Sequence, residues 1–193
     1  MPTKLLAIVG SVTPPGRLLN ATRWLLDTAR ASRGDLEVQL INLADKKVAF
    51  AGGRSAEQLG DDTAAIIESV RSAAGIVFAS PVYRGSFTGA LKNLLDHLPV
   101  ESLAGKPVGI VAMGATQHHF LGVDRHLRDV LAWFGALMVP TSVYLASADF
   151  VDGQLTDSAK QDLKDLADAV IKLKDVAPPP GSFLGPKPLA GRR

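Results

Sequence analysis

The stretch GIVFASPVYRGSFTGALKNLLDHL, residues 75–98, contains the transition that decides the fold. Its first six residues are apolar almost throughout, which predicts a strand buried on both faces of a parallel sheet. A loop of proline, aromatic, arginine and small polar residues follows. Apolar residues at helical spacing then predict a helix over residues 86–98. The stretch is therefore typical of one βα unit.

The same alternation of strand and helix continues in both directions along the chain. Further strands are predicted at residues 5–9, 36–42, 108–113 and 136–145, and further helices at about 17–33, 56–73, 118–135 and from an N-cap at Thr156 to about 174. Five such units predict an α/β three-layer sandwich with a five-stranded parallel sheet in the flavodoxin-like order 2-1-3-4-5. We expect residues 1–176 to form this domain and the Pro- and Gly-rich residues 177–193 to form an extended tail.

Composition excludes several classes of function. No apolar run reaches the roughly 18 residues that a membrane span needs, and the start lacks a signal-peptide pattern, so we expect a cytoplasmic protein without a membrane partner. The chain has no cysteine, so disulfides and thiol redox chemistry are excluded and any redox function needs a bound cofactor. Its 21 basic residues are scattered among 19 acidic ones without a basic stripe, which argues against nucleic-acid binding.

The loops that follow the first, third and fourth strands should form the ligand site, because ligands of such sheets bind beside the switch in strand order. The first loop, GSVTPPGRLLN, offers the hydroxyls of Ser11 and Thr13, the guanidinium of Arg17, and the N–H groups of Leu18 and Leu19 at a helix N-terminus. It lacks both the P-loop and the dinucleotide patterns. A phosphomonoester therefore fits this loop better than a nucleoside triphosphate or a dinucleotide.

The other two loops suit a planar ligand. Tyr83 has a ring that can cover such a ligand, although an ordinary half-buried tyrosine would produce the same pattern. The loop after the fourth strand opens a helix at residues 114–117, whose N–H groups can stabilise negative charge. His118 and His119 are adjacent and would point about 100° apart on a helix, so we expect no metal site.

The motif P-V-Y-x-x-S-x-x-G-x-L-K-x-x-L-D, with GSVTPPGRLLN before it and GATQHHFLGVDRHLRDVL after it, resembles the NAD(P)H-dependent FMN reductases over roughly residues 5–150. It is most similar to the flavin reductases of two-component alkanesulfonate and methanesulfonate monooxygenase systems. The resemblance implies that FMN binds with its phosphate in the first loop and its ring between the other two. The implied cofactor-binding residues are Ser11, Thr13, Arg17, Leu18, Leu19, Pro81, Val82, Tyr83, Arg84, Ser86, Gly114 and Ala115. Relatives commonly carry small hydroxyl residues after the arginine, whereas Leu18 and Leu19 can offer only backbone groups.

The resemblance also implies an activity. NADPH or NADH would reduce FMN by hydride transfer, and FMNH2 would pass to a partner monooxygenase of sulfonate desulfonation. Hydride transfer between stacked rings needs no protein acid or base, so we name no catalytic residue. The alternatives are a quinone or azo reductase that retains its FMN, and a flavodoxin-type electron carrier.

Two further expectations concern the helices and one concerns a loop. The apolar faces of helices 86–98 and 118–137 are wider than one sheet face requires, and with the resemblance they predict a homodimer or homotetramer. The resemblance also implies an inserted residue in the fourth helix, which we place as a π-type bulge at Arg125 or His126. The long loop at residues 44–58 is either functional or disordered.

Overall fold

The computed structural model describes residues 3–13, 16–179 and 185–186. Its regular elements are β1 (Thr3–Val9), α1 (Arg17–Ser32), β2 (Leu36–Asn42), α2 (Thr63–Ser72), β3 (Gly75–Pro81), α3 (Gly89–His97), β4 (Pro107–Met113), α4 (Phe120–Trp133), β5 (Leu137–Met138), β6 (Val143–Leu145), β7 (Phe150–Val151), β8 (Gln154–Leu155) and α5 (Asp157–Val176). The main sheet is parallel, with the order β2-β1-β3-β4-β5 and with β6 also paired to β4. The predicted flavodoxin-like order is confirmed. Most of the predicted tail lies outside the described residues.

Helices cover both faces of the sheet. Alternate residues of β1 point to opposite sides, as the pleat requires: Leu5 and Val9 join the apolar cluster under α1 and α5, whereas Leu6 and Ile8 join the cluster under α2, α3 and α4. The central strands are buried on both sides, which explains why their sequences are apolar almost throughout. Within the described part of the chain, no helix is long and apolar enough to cross a bilayer.

The fifth strand differs from the prediction. Instead of one strand over residues 136–145, β5 and β6 each pair with β4 and are separated by residues 139–142. Pro140 has no N–H to donate to a neighbouring strand. The carbonyls of Val139 and Pro140 instead accept hydrogen bonds from Arg128 of α4, at 3.1 and 3.4 Å. A short antiparallel hairpin of β7 and β8, which was not predicted, precedes α5.

Several helices are shorter than the sequence predicted. The region 56–73 begins with a 3₁₀ turn at Ala56–Gln58, and Gly60 in the left-handed region (φ +67°) separates that turn from α2. The third helix begins at Gly89 because the Thr88 side chain caps it. A 3₁₀ turn at Gln117–His119 precedes α4, which is a regular α-helix from Phe120 to Trp133. The π-type bulge predicted at Arg125 or His126 is therefore wrong.

The long loop before α2 is held in place by side chains rather than disordered. The Asp61 carboxylate accepts a hydrogen bond from the Ala49 N–H at 2.7 Å. The Asn93 side chain accepts one from the Ala51 N–H and donates one to the Ala49 carbonyl, both at 2.9 Å. These bonds leave the Phe50 ring 86% exposed.

Candidate functional site

The three loops predicted to bind a ligand lie together beyond the carboxyl ends of β1, β3 and β4. Thr88, the N-cap of α3, donates through its hydroxyl to the Gly10 carbonyl at 2.6 Å and through its N–H to the Ser80 hydroxyl at 3.1 Å. The Val82 N–H donates to the Met113 carbonyl at 2.8 Å. This network fixes the loops relative to one another.

The N-terminus of α1 is suited to an anion. Its N-cap is Gly16, which has no side chain to accept from the first N–H groups, so among the described residues no side chain caps those of Leu18 and Leu19. Both leucine side chains are buried in the core, so only their backbone faces the loop. The hydroxyls of Ser11 and Thr13 lie 3.0 Å apart in the same loop. The positive end of a helix and two hydroxyls together can hold a phosphate.

Arg17 reaches from this helix to the segment after β6. Its guanidinium carbon lies 4.9 Å from the centre of the Phe150 ring, and one guanidinium nitrogen donates to the Ser147 hydroxyl at 3.4 Å. None of the salt bridges formed among the described residues includes Arg17. Its positive charge is therefore available to an anionic ligand.

The loop after β3 is a tight hairpin. Tyr83 and Ser86 exchange backbone hydrogen bonds at 2.8 and 3.1 Å, and between them Arg84 (φ +52°) and Gly85 (φ +80°) both have left-handed backbone conformations. A two-residue turn of this kind requires positive φ at both central positions. The hydroxyl of Ser86 shares a hydrogen bond with Nδ1 of His126 on α4, at 2.9 Å. The turn therefore presents Tyr83, 41% exposed, from a fixed backbone.

Two glycines allow close packing around these loops. A Cβ at Gly122 of α4 would lie 2.6 Å from the Gly85 carbonyl oxygen, so the helix rests directly on the hairpin. A Cβ at Gly114 would collide with the hydroxyl of Tyr144. That hydroxyl donates to the Thr116 carbonyl at 2.6 Å, and burial raises the pKa of Tyr144, so it remains a donor. Tyr144 thus holds the loop after β4.

The structure brings the predicted site residues to one edge of the sheet in two groups. The segment that leads from β1 into α1 carries Ser11, Thr13, Arg17, Leu18 and Leu19, and the segments after β3 and β4 carry Pro81, Val82, Tyr83, Arg84, Ser86, Gly114 and Ala115. Their contacts with a cofactor stay predictions. The described residues contain no group of three or more His, Asp or Glu side chains that could hold a metal ion.

Sequence reasoning missed the residues that support this site from a distance. These are Tyr144, Ser147 and Phe150, which belong to no recognisable loop motif; Gly122 and His126 lie in the quoted stretch of the fourth helix, but their contacts with the hairpin were not predicted. The only signal in the sequence was the pair of aromatic residues, Tyr144 and Phe150, placed around the end of the last strand.

The parallel sheet has the flavodoxin-like order. After β1 it leads to a helix N-terminus that suits an anion, and after β3 to a hairpin with an exposed tyrosine. These features define a flavodoxin-like protein with a site for a phosphorylated planar ligand. The chain belongs to the NADPH-dependent FMN reductase family, whose model matches residues 3–150. It is an oxidoreductase that uses NAD(P)H and FMN.

Individual relatives agree with this family. A protein of Geobacillus thermodenitrificans named NAD(P)H-dependent FAD/FMN reductase is 34% identical over 76% of this chain and 79% of its own length. The NADH-dependent FMN reductase SfnF of Pseudomonas fluorescens is 34% identical over 80% of this chain and 82% of its own. An FMN-dependent NADPH-azoreductase of Staphylococcus aureus is 28% identical over 78% of this chain and 81% of its own length.

Among solved structures, the apo form of the NADH:FMN oxidoreductase EMOB matches with a TM-score of 0.76 and 23% identity, over 98% of this chain and 99% of that one. This similarity concerns the fold. The residues of the present site fit FMN on their own chemistry, because an uncompensated guanidinium and two uncapped N–H groups suit the phosphate and an exposed tyrosine suits the ring.

Proposed function

We propose that the protein reduces FMN with NADPH or NADH and releases FMNH2 to a partner flavin-dependent monooxygenase that desulfonates organosulfonates. The observation that carries the proposal is the 41% exposure of Tyr83 on the hairpin after β3, because a flavin ring that binds against an exposed side chain can enter and leave the site. The similarity of the site motifs to reductases of two-component sulfonate systems supports the partner.

Bound FMN would supply a ring that can take a hydride from NAD(P)H. The residues of this chain act by binding and orientation. Arg17 and the N–H groups of Leu18 and Leu19 would hold the phosphate, and the hairpin of Tyr83 and Ser86 would orient the ring. With this division of roles, we expect the site to need no general acid or base.

A second candidate is an FMN-retaining reductase of azo compounds or quinones. The azoreductase of S. aureus supports it, since that relative matches most of this chain. A flavodoxin-type carrier is a weaker alternative, because such carriers are usually strongly acidic whereas this chain has a formal charge of +2.

Flavin titration separates these functions. Purified apoprotein is mixed with NADPH or NADH and increasing FMN, NAD(P)H oxidation is followed under anaerobic conditions, and the mixture is then ultrafiltered. A rate that saturates with FMN and hydroquinone in the filtrate support the proposal. Flavin that stays with the protein, and turnover that needs an added azo dye or quinone, would instead identify the second candidate.

We also propose that the protein forms a homodimer or homotetramer through helices 86–98 and 118–137, and that it acts in the cytoplasm, where NAD(P)H is available. Phe120 and Leu121 at the start of α4 and Trp133 at its end are each about half exposed, and a groove of about 490 Å³ lies between α3 and α4. Large apolar side chains exposed beside an apolar groove are typical of an interface. Light scattering after size-exclusion chromatography should show that Trp133→Glu reduces the assembled mass, whereas Val151→Glu, a change at another exposed apolar residue, does not.

A further inference from the structure

The aromatic ring of Phe150 lies directly beneath the guanidinium of Arg17, outside all three ligand-binding loops. We propose that Phe150 is a positioning residue, which holds Arg17 toward the phosphate of the flavin and so makes the protein prefer FMN to riboflavin. The inference rests on the proposed FMN site. It assigns a role to a segment that follows the sheet and that no ligand-binding motif includes.

The chemistry of the two partners of Arg17 supports this role. An arginine paired with a carboxylate has its charge neutralised, and a phosphate would then have to compete for it. Arg17 is instead held by a ring face and by the Ser147 hydroxyl, which are both neutral. A ring attracts a cation through its quadrupole without cancelling its charge. Phe150 therefore restricts the orientation of the guanidinium and leaves its charge available.

Phe150 is itself held rigidly, as a positioning residue must be. It is the first residue of β7 and pairs with Leu155 of β8, and the turn between the two strands contains Asp152 and Gly153 with φ of +48° and +77°. Its ring also packs against the apolar cluster under α1 and α5.

The segment before the ring is fixed as well. The Asp149 carboxylate accepts a hydrogen bond from the Ala146 N–H at 2.7 Å, and the Asp149 carbonyl accepts one from the Thr156 N–H at 2.9 Å. The Ser147 N–H donates to the Ala115 carbonyl at 3.4 Å, which joins this segment to the loop after β4. A ring on such a support lowers the conformational entropy that Arg17 would lose on binding a phosphate.

The test compares two flavins that differ only in the phosphate. FMN and riboflavin are titrated into apoprotein, and the dissociation constants are measured from the quenching of flavin fluorescence. We expect Phe150→Leu to weaken FMN binding about three- to tenfold and to leave riboflavin binding unchanged. Phe150→Tyr keeps a ring and should retain the wild-type preference. Val151→Ala, an exposed neighbour on the same hairpin, is the matched control and should change neither constant.

A second experiment tests whether the effect of Phe150 on FMN binding depends on Arg17. In an Arg17→Gln background, Phe150→Leu should cause no further loss of FMN affinity, because the ring then has no guanidinium to hold. Riboflavin binding also reports folding, so an equal loss for both flavins would show a merely structural role and overturn the inference. An unchanged FMN constant in Phe150→Leu would overturn it too. Wild-type protein without any preference for FMN would overturn the phosphate site of the proposed function together with the inference.

Discussion

The contact between α4 and the hairpin after β3 (residues 83–86) can be tested by adding one methyl group, in the substitution Gly122→Ala. In most helices alanine is favoured over glycine by about 0.5–1 kcal/mol. At Gly122, however, the added Cβ would lie 2.6 Å from the Gly85 carbonyl oxygen, and the gap would have to open to about 3.4 Å to become an ordinary contact. A backbone atom cannot rotate away, and overpacking of this kind costs about 1–3 kcal/mol. We therefore expect Gly122→Ala to lower the free energy of unfolding by about 0.5–2 kcal/mol.

Thermal denaturation and FMN titration measure the two consequences of this substitution. The Tm should fall by about 2–6 °C, and FMN should bind more weakly because the hairpin is displaced. Gly89→Ala is the control, since Gly89 is also in the first turn of a helix and a Cβ there would meet nothing within 4 Å. A Gly122→Ala protein with wild-type Tm and wild-type FMN affinity would refute the close packing of helix and hairpin.

Three other substitutions test separate parts of the structure. Tyr144→Phe removes the hydroxyl that donates to the Thr116 carbonyl, so it should cost about 1 kcal/mol of stability, seen as a lower Tm. Burial lowers the pKa of Lys106 from 10.5 to about 8, so between these pH values the unfolded chain binds more protons and the wild-type free energy of unfolding should rise with pH. In urea titrations Lys106→Met should flatten this rise. Asn93→Ala should speed hydrogen exchange in residues 48–51 by about tenfold, whereas Asp96→Ala on the same helix should not. An unchanged Tm in Tyr144→Phe would contradict the first expectation, and an equal rise of the free energy of unfolding with pH in wild type and Lys106→Met would contradict the second. Unchanged exchange in residues 48–51 of Asn93→Ala would contradict the third.

The part of the candidate site that could be predicted lies in loops directly attached to predicted strands. Once the sheet order is known, the loops after β1, β3 and β4 must meet. Ser11 and Tyr83 were assigned to the candidate site in this way. Ser147 could not be found, because its contact with Arg17 joins residues 130 positions apart and follows no local pattern.

The boundaries of the strands also depend on contacts between residues that are far apart in the sequence. The sequence predicted a single last strand over residues 136–145, because that run is apolar over most of its length. Only the tertiary structure decided that Arg128 would bind the carbonyls at Val139 and Pro140, and that the strand would divide there.

The sequence by itself determined the order of the main strands and helices and the parallel sheet, and with them the sheet edge where we expect the ligand. Hydrophobic periodicity and chain connectivity are local properties, and they restrict the possible topologies to a few. The tertiary structure decided which distant side chains support the site: the ring of Phe150 under Arg17, the hydroxyl of Tyr144 against Gly114, and α4 resting on Gly85. These contacts form only if the spacing between separate elements is correct to about a few tenths of an ångström. Close packing sets the spacing with that precision only when the whole core has formed.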